Sequence, residues 1–529
     1  MRPLIVPDET RYAEIPREMI ESGDWVVPRL NGLLYFEKPV LGYWANAVSI
    51  LVFGENAFAV RLPSALAAAG VALLVFLMAR RFSKNKRLPL LATAVQLTFM
   101  LSFFVGTFSV LDSMLTFALT GALVFFFFAV KSEKLKEKYL YLIVFGFFCG
   151  LAFLMKGFLA FAVPVVVIGP YMVWEKRWKE LMVLPWIPLV LVVIVALPWS
   201  LAVHFKNNDF WNYFFWVEHY QRFFSSAGSQ HPEPFWYYIP ALLGGAFPWT
   251  LLVPATVAAY KKDDLKSSLT RYALCWAFIP IIFFSISSGK LATYILPCFP
   301  PMAILFAVGL DKYFEKENER KLFNYPLMIL SCLIGIAAVG FLINQVTGWP
   351  KTLYNETETL KWILAFVAFL SCGTFLFFSA RNKETNKKLF YFCIAPALIM
   401  FLSHFLLPER IIERKAPSAF LKKHQARIPE GALIISYKNM LRAVCWEYKR
   451  NDLYLFMQTG EFKYGLKQPD SKHRYFQKTE ELADFIRERS KKEPVFLLIR
   501  TKIFKKDCAG ILPEAKFSES VGEFTIAEY

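Results

Sequence analysis

Charge is scarce in this chain. Asp, Glu, Lys and Arg make up only 19% of its 529 residues, against 56% hydrophobic and 17% aromatic. That balance excludes an ordinary soluble domain and places the chain in the membrane class. Cysteine supplies no framework: Cys149, Cys275, Cys332, Cys372 and Cys393 lie inside apolar runs, where a small buried residue is the ordinary role. Only Cys445 and Cys508 stand where a disulfide is open to them, and no spacing pattern supports one. Internal repeats and low-complexity segments are missing too. Residues 1–7 hold no apolar run, so neither a signal peptide nor a span is written there.

Long apolar runs are what the chain has instead. Twelve can be marked, at 57–79, 88–106, 108–130, 139–155, 157–174, 181–203, 235–259, 272–286, 292–310, 324–343, 360–379 and 389–407. At 1.5 Å per helical residue each approaches or exceeds the reach needed for a hydrocarbon core of about 30 Å. The net charge of +18 could suggest nucleic acid, but its distribution follows topology. The loops 80–88, 131–138, 175–180, 260–271, 311–323 and 380–388 carry 24 Lys and Arg, whereas the alternate short loops carry 5. By the positive-inside rule the first set faces the cytoplasm. Residues 1–56, the loop 204–234, the turn around Lys290 and everything after 407 then lie on the other side. A leading segment of that size, carrying Arg2, Arg11, Arg17, Arg29 and Lys38, would have to cross the membrane unaided, so the topology predicts a further span of about 20 residues ahead of Arg2.

The charge that exists is concentrated on that outer side. In the first loop, PDETRYAEIPREMIESGDWVVPRLNGLLYFEKPVLGY, apolar residues at 12, 15, 16, 19 and 20 mark one face of a short helix, and Glu14, Arg17, Glu18 and Glu21 mark the other. This predicts an interfacial helix capped or preceded by Asp8, with Trp25, Tyr35, Tyr43 and Trp44 as anchors at the lipid boundary. Val40–Phe53, too short to span, is expected as a second interfacial helix. Arg61 stands at the outer mouth of the next run. Asp112 opens the third run, Lys156 falls in the tight turn between two runs, and Glu218, His219, Arg222 and His231 occupy the loop 204–234. Lys290 and Tyr294 bridge two later runs. Residues 408–529, with 24 Lys and Arg and short apolar strands such as Ala432–Ser436 and Pro494–Ile499, read as a soluble α/β domain. The expected organisation is therefore a multi-span region over 1–407 and a soluble domain over 408–529.

Carboxylates at Asp8, Glu9, Glu37, Asp112 and Glu218 thus share one side of the membrane with Lys38, Lys156, Arg222, Lys290 and Tyr294. Glycosyl transfer uses that combination: a carboxylate to steady a developing oxocarbenium ion and cations to hold a departing phosphate. Glu37 and Lys38, adjacent in an extended segment, project to opposite sides. A transporter could also gather charge at one mouth, but it would be expected to carry charge deep in several spans, and here the spans are nearly free of it.

The segments PDETRYAEIPREM and NGLLYFEKPVLGYW, followed in order by VLDSMLTF, LMKG, HYQRF, PFWYY and KLATYILP, resemble the aminoarabinose (4-amino-4-deoxy-L-arabinose) lipid A transferase family, relatives of the protein O-mannosyltransferases. The likeness runs through most of residues 1–310. It implies a GT-C membrane glycosyltransferase fold with a soluble periplasmic α/β domain. The implied activity is inverting transfer of a sugar from undecaprenyl phosphate to lipid A at the periplasmic face of the bacterial inner membrane, with no nucleotide cofactor. It further implies Asp8 as the leading catalytic carboxylate, with Glu9 and Asp112 beside it. Lys38, Arg222 and Tyr294 would be the ligands of the polyprenyl phosphate, joined by Lys156, Lys290 and Arg11, and Glu37 with His219 a pair for a divalent metal. The same likeness leaves open another acceptor, such as a protein hydroxyl. For the predicted leading span, the intact mass of protein expressed from its native locus should exceed the mass counted from Met1; a mass equal to it would contradict the expectation.

Overall fold

The computed structural model describes residues 2–221, 231–315 and 320–529, the His219 side chain excepted. The chain forms two compact units, one of Met1–Pro63, Phe205–Phe210 and Leu407–Tyr529, the other of Ser64–His204 and Trp211–Leu406. The first loop thereby groups with the C-terminal residues, whereas the sequence reading had grouped it with the spans.

In the second unit and its leading helix, the twelve apolar runs are all helical. Among the described residues nine helices are long and apolar enough to cross a membrane by themselves. Two further runs are bent: Arg87–Thr98 meets Met100–Thr107 at 63°, and Phe235–Gly245 meets Trp249–Ala259 at 94°. The first break falls at Phe99, whose backbone is extended. The remaining run, 157–174, forms the helix Leu159–Trp174, which has 16 residues and falls short of a full span. The chain is a multi-pass membrane protein. Glycines let the central helices approach closely: a Cβ at Gly121 would lie 2.6 Å from the Phe148 ring, and one at Gly146 would lie 2.6 Å from the backbone of Pro188.

The first unit is built on a six-stranded sheet. Its strands are β3 (Leu433–Tyr437), β4 (Tyr454–Phe456), β5 (Tyr475–Phe476), β6 (Val495–Arg500), β7 (Phe517–Val521) and β8 (Phe524–Glu528), in the order β5-β4-β3-β6-β8-β7. The β5-β4-β3-β6 portion is parallel and β8 and β7 add antiparallel. Central β6 reads VFLLIR because a parallel strand covered on both faces needs apolar residues throughout, and Val495 to Ile499 are all buried. The expected strands at 432–436 and 494–499 and the helix at 480–489 are present, the last as Thr479–Arg489. All eight cysteines are free thiols, so the disulfide left open between Cys445 and Cys508 is not formed.

Two helices of the first loop, α1 (Asp8–Ser22) and α2 (Leu41–Phe53), flank a hairpin of β1 (Arg29–Leu30) and β2 (Leu33–Leu34). Helix α1 forms where the spacing predicted a helix, but its charged face is not solvated. Its supposed polar face is buried, with Glu14, Arg17 and Glu18 each no more than 4% exposed. Leu4, Ala13, Ile50, Ala59, Val60 and Trp446 form one apolar cluster beside it. Tyr35 and Tyr43, expected as lipid-boundary anchors, are likewise core residues. Nor does Asp8 cap the helix: Pro7 is the N-cap and Asp8 the first helical residue.

The hairpin turn explains why a charged helix is buried. Asn31 and Gly32 both take positive φ, 58° and 70°, as a two-residue hairpin of this twist requires. Their amides donate to the two oxygens of Glu18 at 2.5 and 2.9 Å. The Asn31 side chain donates to the Leu453 carbonyl and accepts from the Leu453 amide, so the turn is pinned to the start of β4 as if it were another piece of sheet. A Cβ at Gly32 would sit 2.7 Å from the Asn451 carbonyl oxygen, in a left-handed backbone. Gly32→Ala is therefore expected to cost on the order of 1–3 kcal/mol, read as a lowered Tm of the purified protein in detergent; an unchanged Tm would show that the turn is free to shift.

Candidate active site

The first turn of α1 sorts its charges by burial. Glu9 is 1% exposed, and both its oxygens are taken by Arg2 and Arg61 at 2.6–3.2 Å, with the Ile5 amide donating as well. The two guanidinium groups hold the Glu9 carboxyl below its usual range against the upward push of burial. Named from sequence as a catalytic group, Glu9 instead ties the chain start to the foot of the helix Ala57–Phe82. Asp8 differs: its side chain is 52% exposed, and it accepts one bond, from Arg11 to Oδ1 at 2.6 Å.

Arg11 is bound on both sides by carboxylates. One arm reaches Asp8 and the other reaches Glu461 Oε2 at 2.6 Å, across 450 residues of sequence. Glu461 Oε1 accepts from Arg442. Burial opposes ionisation of Glu461, but Arg11 and Arg442 outweigh it and hold the carboxyl down to about 2. Arg11, expected as a phosphate ligand, has its two arms engaged in this way. By contrast the Glu14 carboxyl is pushed up by burial despite its pair with Arg17.

Tyr35-Phe36-Glu37-Lys38 is fixed by its ring. Phe36 packs against Phe210 and Tyr464 with centroids 5.0 and 4.9 Å apart. That leaves Glu37 buried, where Oε2 accepts from the Tyr35 hydroxyl at 3.3 Å, and Lys38 half-buried, its ammonium donating to the Glu37 carbonyl at 2.7 Å. Among the described residues no three His, Cys, Asp or Glu side chains gather as a metal-holding group. His219 lies in the helical turn Tyr213–Gln221, but its side chain is outside the described residues, as is Arg222. The described residues therefore do not assemble the divalent site.

In the second unit Asp112, Lys156 and Tyr294 come together. Asp112 lies in the first turn of Leu111–Lys131, and Lys156 is the last residue of the antiparallel neighbour Leu135–Lys156 rather than part of a turn. Each charge complements its own helix dipole. The ammonium donates to Asp112 Oδ1 at 2.6 Å and stands 4.6 Å from the centre of the Tyr294 ring. Ser64 and Ser113 fix the start of the Asp112 helix, Ser64 Oγ donating to the Val110 carbonyl and Ser113 Oγ to the Ser64 carbonyl. A small pocket opens there, polar at Asp112, Thr116, Lys156 and Thr293 and apolar at Leu115 and Phe284.

Lys290 is placed differently from Lys156. It is 3% exposed, and its ammonium donates to the carbonyls of Ser287 and Glu233; burial lowers its pKa. Together with the bridge between Pro232 and Gly289, it closes the base of the turn leading to Tyr294. Of the sequence candidates, the structure thus brings Asp8 beside Arg11 and Asp112 beside Lys156 and Tyr294, and commits Glu9 and Lys290 to protein partners. Sequence reasoning missed Glu461 and Arg442, which carry no local signal. It also passed over Asn31-Gly32, although that dipeptide between apolar pairs is a hairpin mark.

Similarity to known proteins is extensive. Residues 2–214 match the family model described as dolichyl-phosphate-mannose-protein mannosyltransferase, and 412–528 match that of the arabinosyl transferase ArnT C-terminal domain. An undecaprenyl phosphate-alpha-4-amino-4-deoxy-L-arabinose arabinosyl transferase of Shewanella sediminis is 39% identical, over 100% of this chain and 94% of that protein. One of the same name from Photorhabdus laumondii is 38% identical over 89% and 84%. Crystal structures of ArnT from Cupriavidus metallidurans, in the apo state and bound to undecaprenyl phosphate, superpose with TM-scores of 0.81 and 0.80 at 21% identity, each over 100% of this chain and 94% of that one; at that identity they establish the shared fold. For the Asp112–Lys156 pair, a double-mutant cycle of Asp112→Asn and Lys156→Met on thermal stability should give a coupling of roughly 1–3 kcal/mol; additive losses would show that the pair contributes no mutual stabilisation.

Proposed function

The chain belongs to the undecaprenyl phosphate-aminoarabinose arabinosyl transferase family, and from that premise we propose that it moves 4-amino-4-deoxy-L-arabinose from undecaprenyl phosphate to lipid A at the periplasmic face of the bacterial inner membrane. The observation that carries the reading is the state of Asp8. In the first turn of α1 it is the exposed carboxylate, steadied at one oxygen by Arg11 and with the other making no hydrogen bond among the described residues. The neighbouring Glu9 is consumed by Arg2 and Arg61.

Transfer with inversion has a simple balance. A phosphate oxygen of the acceptor forms a bond to the anomeric carbon as the bond from that carbon to the undecaprenyl phosphate oxygen breaks. The electron pair leaves with the phosphate, and positive charge grows on the sugar ring. An acceptor phosphate arrives ionised, so no strong base is needed, and Asp8 acts by stabilising the oxocarbenium character. Lys38 is the phosphate ligand we assign in the first unit; Arg222, which lies outside the described residues, is assigned the same role. In the second unit Lys156 and Tyr294 take the same role, Asp112 orienting the ammonium through its 2.6 Å contact. A protein hydroxyl acceptor would instead need its proton removed.

Lipid A from cells carrying the wild-type gene should show the aminopentose adduct by mass spectrometry. Asp8→Asn should remove it, lowering transfer by at least roughly 100-fold, with the protein still folded and membrane-inserted. Adduct at wild-type level from Asp8→Asn would overturn the assignment. Lys38→Ala should act mainly on use of the donor, raising its KM.

A further inference from the structure

The charges around Arg11 form an ordered row. Asp8 Oδ1 accepts from one terminal nitrogen of Arg11, and Glu461 Oε2 accepts from the other. Glu461 Oε1 accepts from Arg442, whose remaining arm donates to the Lys438 carbonyl inside the helix Lys438–Tyr448. Glu461 stands in a short helical turn, Gly460–Phe462, whose Phe462 is buried and lies under the Arg442 guanidinium. Asp8 alone in this row is exposed; Arg11, Glu461 and Arg442 side chains are 15%, 8% and 4% exposed. Tyr12 lies beneath the Arg11 guanidinium at 4.8 Å, so the arginine cannot swing freely.

From this geometry we infer that Glu461 is a positioning residue for the transfer reaction: by holding Arg11 it fixes the direction of the Asp8 carboxylate and offsets the arginine charge that would otherwise neutralise it. The inference rests on the reading of Asp8 as the carboxylate that stabilises the transition state. Two effects follow from one contact. A side chain in the exposed first turn of a helix has several rotamers, and a clamp that selects one of them raises the fraction ready to act. An arginine paired with Asp8 alone would also cancel most of the negative potential needed by a growing oxocarbenium ion, whereas an arginine shared with a second carboxylate cancels part of it. Glu461 can do this at any working pH because Arg11 and Arg442 keep it ionised down to about 2. The other titratable groups facing the row are Tyr12, Tyr35, Tyr43 and Glu37. Burial raises the Tyr35 and Tyr43 hydroxyls well above their ordinary value, which leaves them neutral.

The test uses the full-length protein, purified in detergent with undecaprenyl-phosphate aminoarabinose and lipid A. Glu461→Gln keeps the shape and removes the charge. It should lower kcat roughly 10- to 100-fold while the donor KM stays within about twofold, because the clamp acts on the reacting group and not on phosphate binding. Removing one carboxylate leaves two buried arginines facing each other, so the charge-balanced double variant Glu461→Gln/Arg442→Gln is made alongside and should show the same loss in kcat. Wild-type kcat in either folded variant would overturn the inference. So would a loss in both that lies in KM, or failure of the balanced variant to fold, which would assign the row to folding alone. Asp8→Asn run in parallel separates the two readings: if it retains turnover, the reading of Asp8 fails; if it is inactive while Glu461→Gln is not, only the clamp fails.

Discussion

Arg11 has one positive charge and two carboxylates to serve. Everything distinctive about the first unit follows from the need to satisfy charges that its packing removes from water. A guanidinium as covered as Arg11 is strongly unfavourable unless its donors are matched, and the match comes from Glu461, at the far end of the chain. The same requirement recurs along α1. Glu9 is divided between Arg2 and Arg61, Glu14 is matched to Arg17, and Glu18 to the amides of Asn31 and Gly32. Helix α1 and the sheet that ends the chain are therefore one folding problem, because neither leaves its buried charges satisfied without the other. Asp8 differs in exposure: it pairs with Arg11 through one oxygen but keeps half its surface, and its other oxygen makes no hydrogen bond among the described residues.

The membrane unit obeys the same rule in a poorer solvent. With almost no charge in the middle of its helices, ionic residues collect at their ends and pair there, and the two ends differ. On the side assigned to the cytoplasm by the excess of basic residues, Asp311 binds Arg87 and Asn85, Glu175 pairs with Arg271, and Lys388 caps the carbonyls of Ser379 and Ala380. These contacts consume their groups. On the opposite side the Asp112–Lys156 pair borders a pocket, and Lys156 faces an aromatic ring that carries a hydroxyl. The contrast separates pairs that close the structure from a pair set where chemistry is possible.

How much of this was legible in the sequence depends on the range over which each feature is determined. The helices of the membrane unit were readable because each is specified by its own twenty residues. The two bends were not, since the first turns on extended backbone at the single position Phe99 and the second on the short break between Gly245 and Trp249. The sheet strands were readable as short apolar runs, and the resemblance carried by YFEKP and KLATYILP pointed to the family that whole-chain similarity then established. Burial of α1 is not legible because Glu14, Arg17 and Glu18 look like a solvated face in sequence; what covers them is the hairpin turn at Asn31-Gly32 and, more than 400 residues away, the helix Lys438–Tyr448. Glu9 and Asp8 are adjacent and alike, and only three dimensions tell the consumed carboxylate from the exposed one. Of the pair that the resemblance implies for a metal, Glu37 is described and the His219 side chain lies outside the described residues.

The most direct measurement of the central claim is transfer by the purified protein alone. Reconstituted in liposomes with undecaprenyl-phosphate aminoarabinose and lipid A, it should release undecaprenyl phosphate and add one aminopentose to each modified lipid A, the two products appearing in equal amounts. Donor consumed without a sugar-bearing lipid A, or no reaction from folded and correctly inserted protein, would contradict the account.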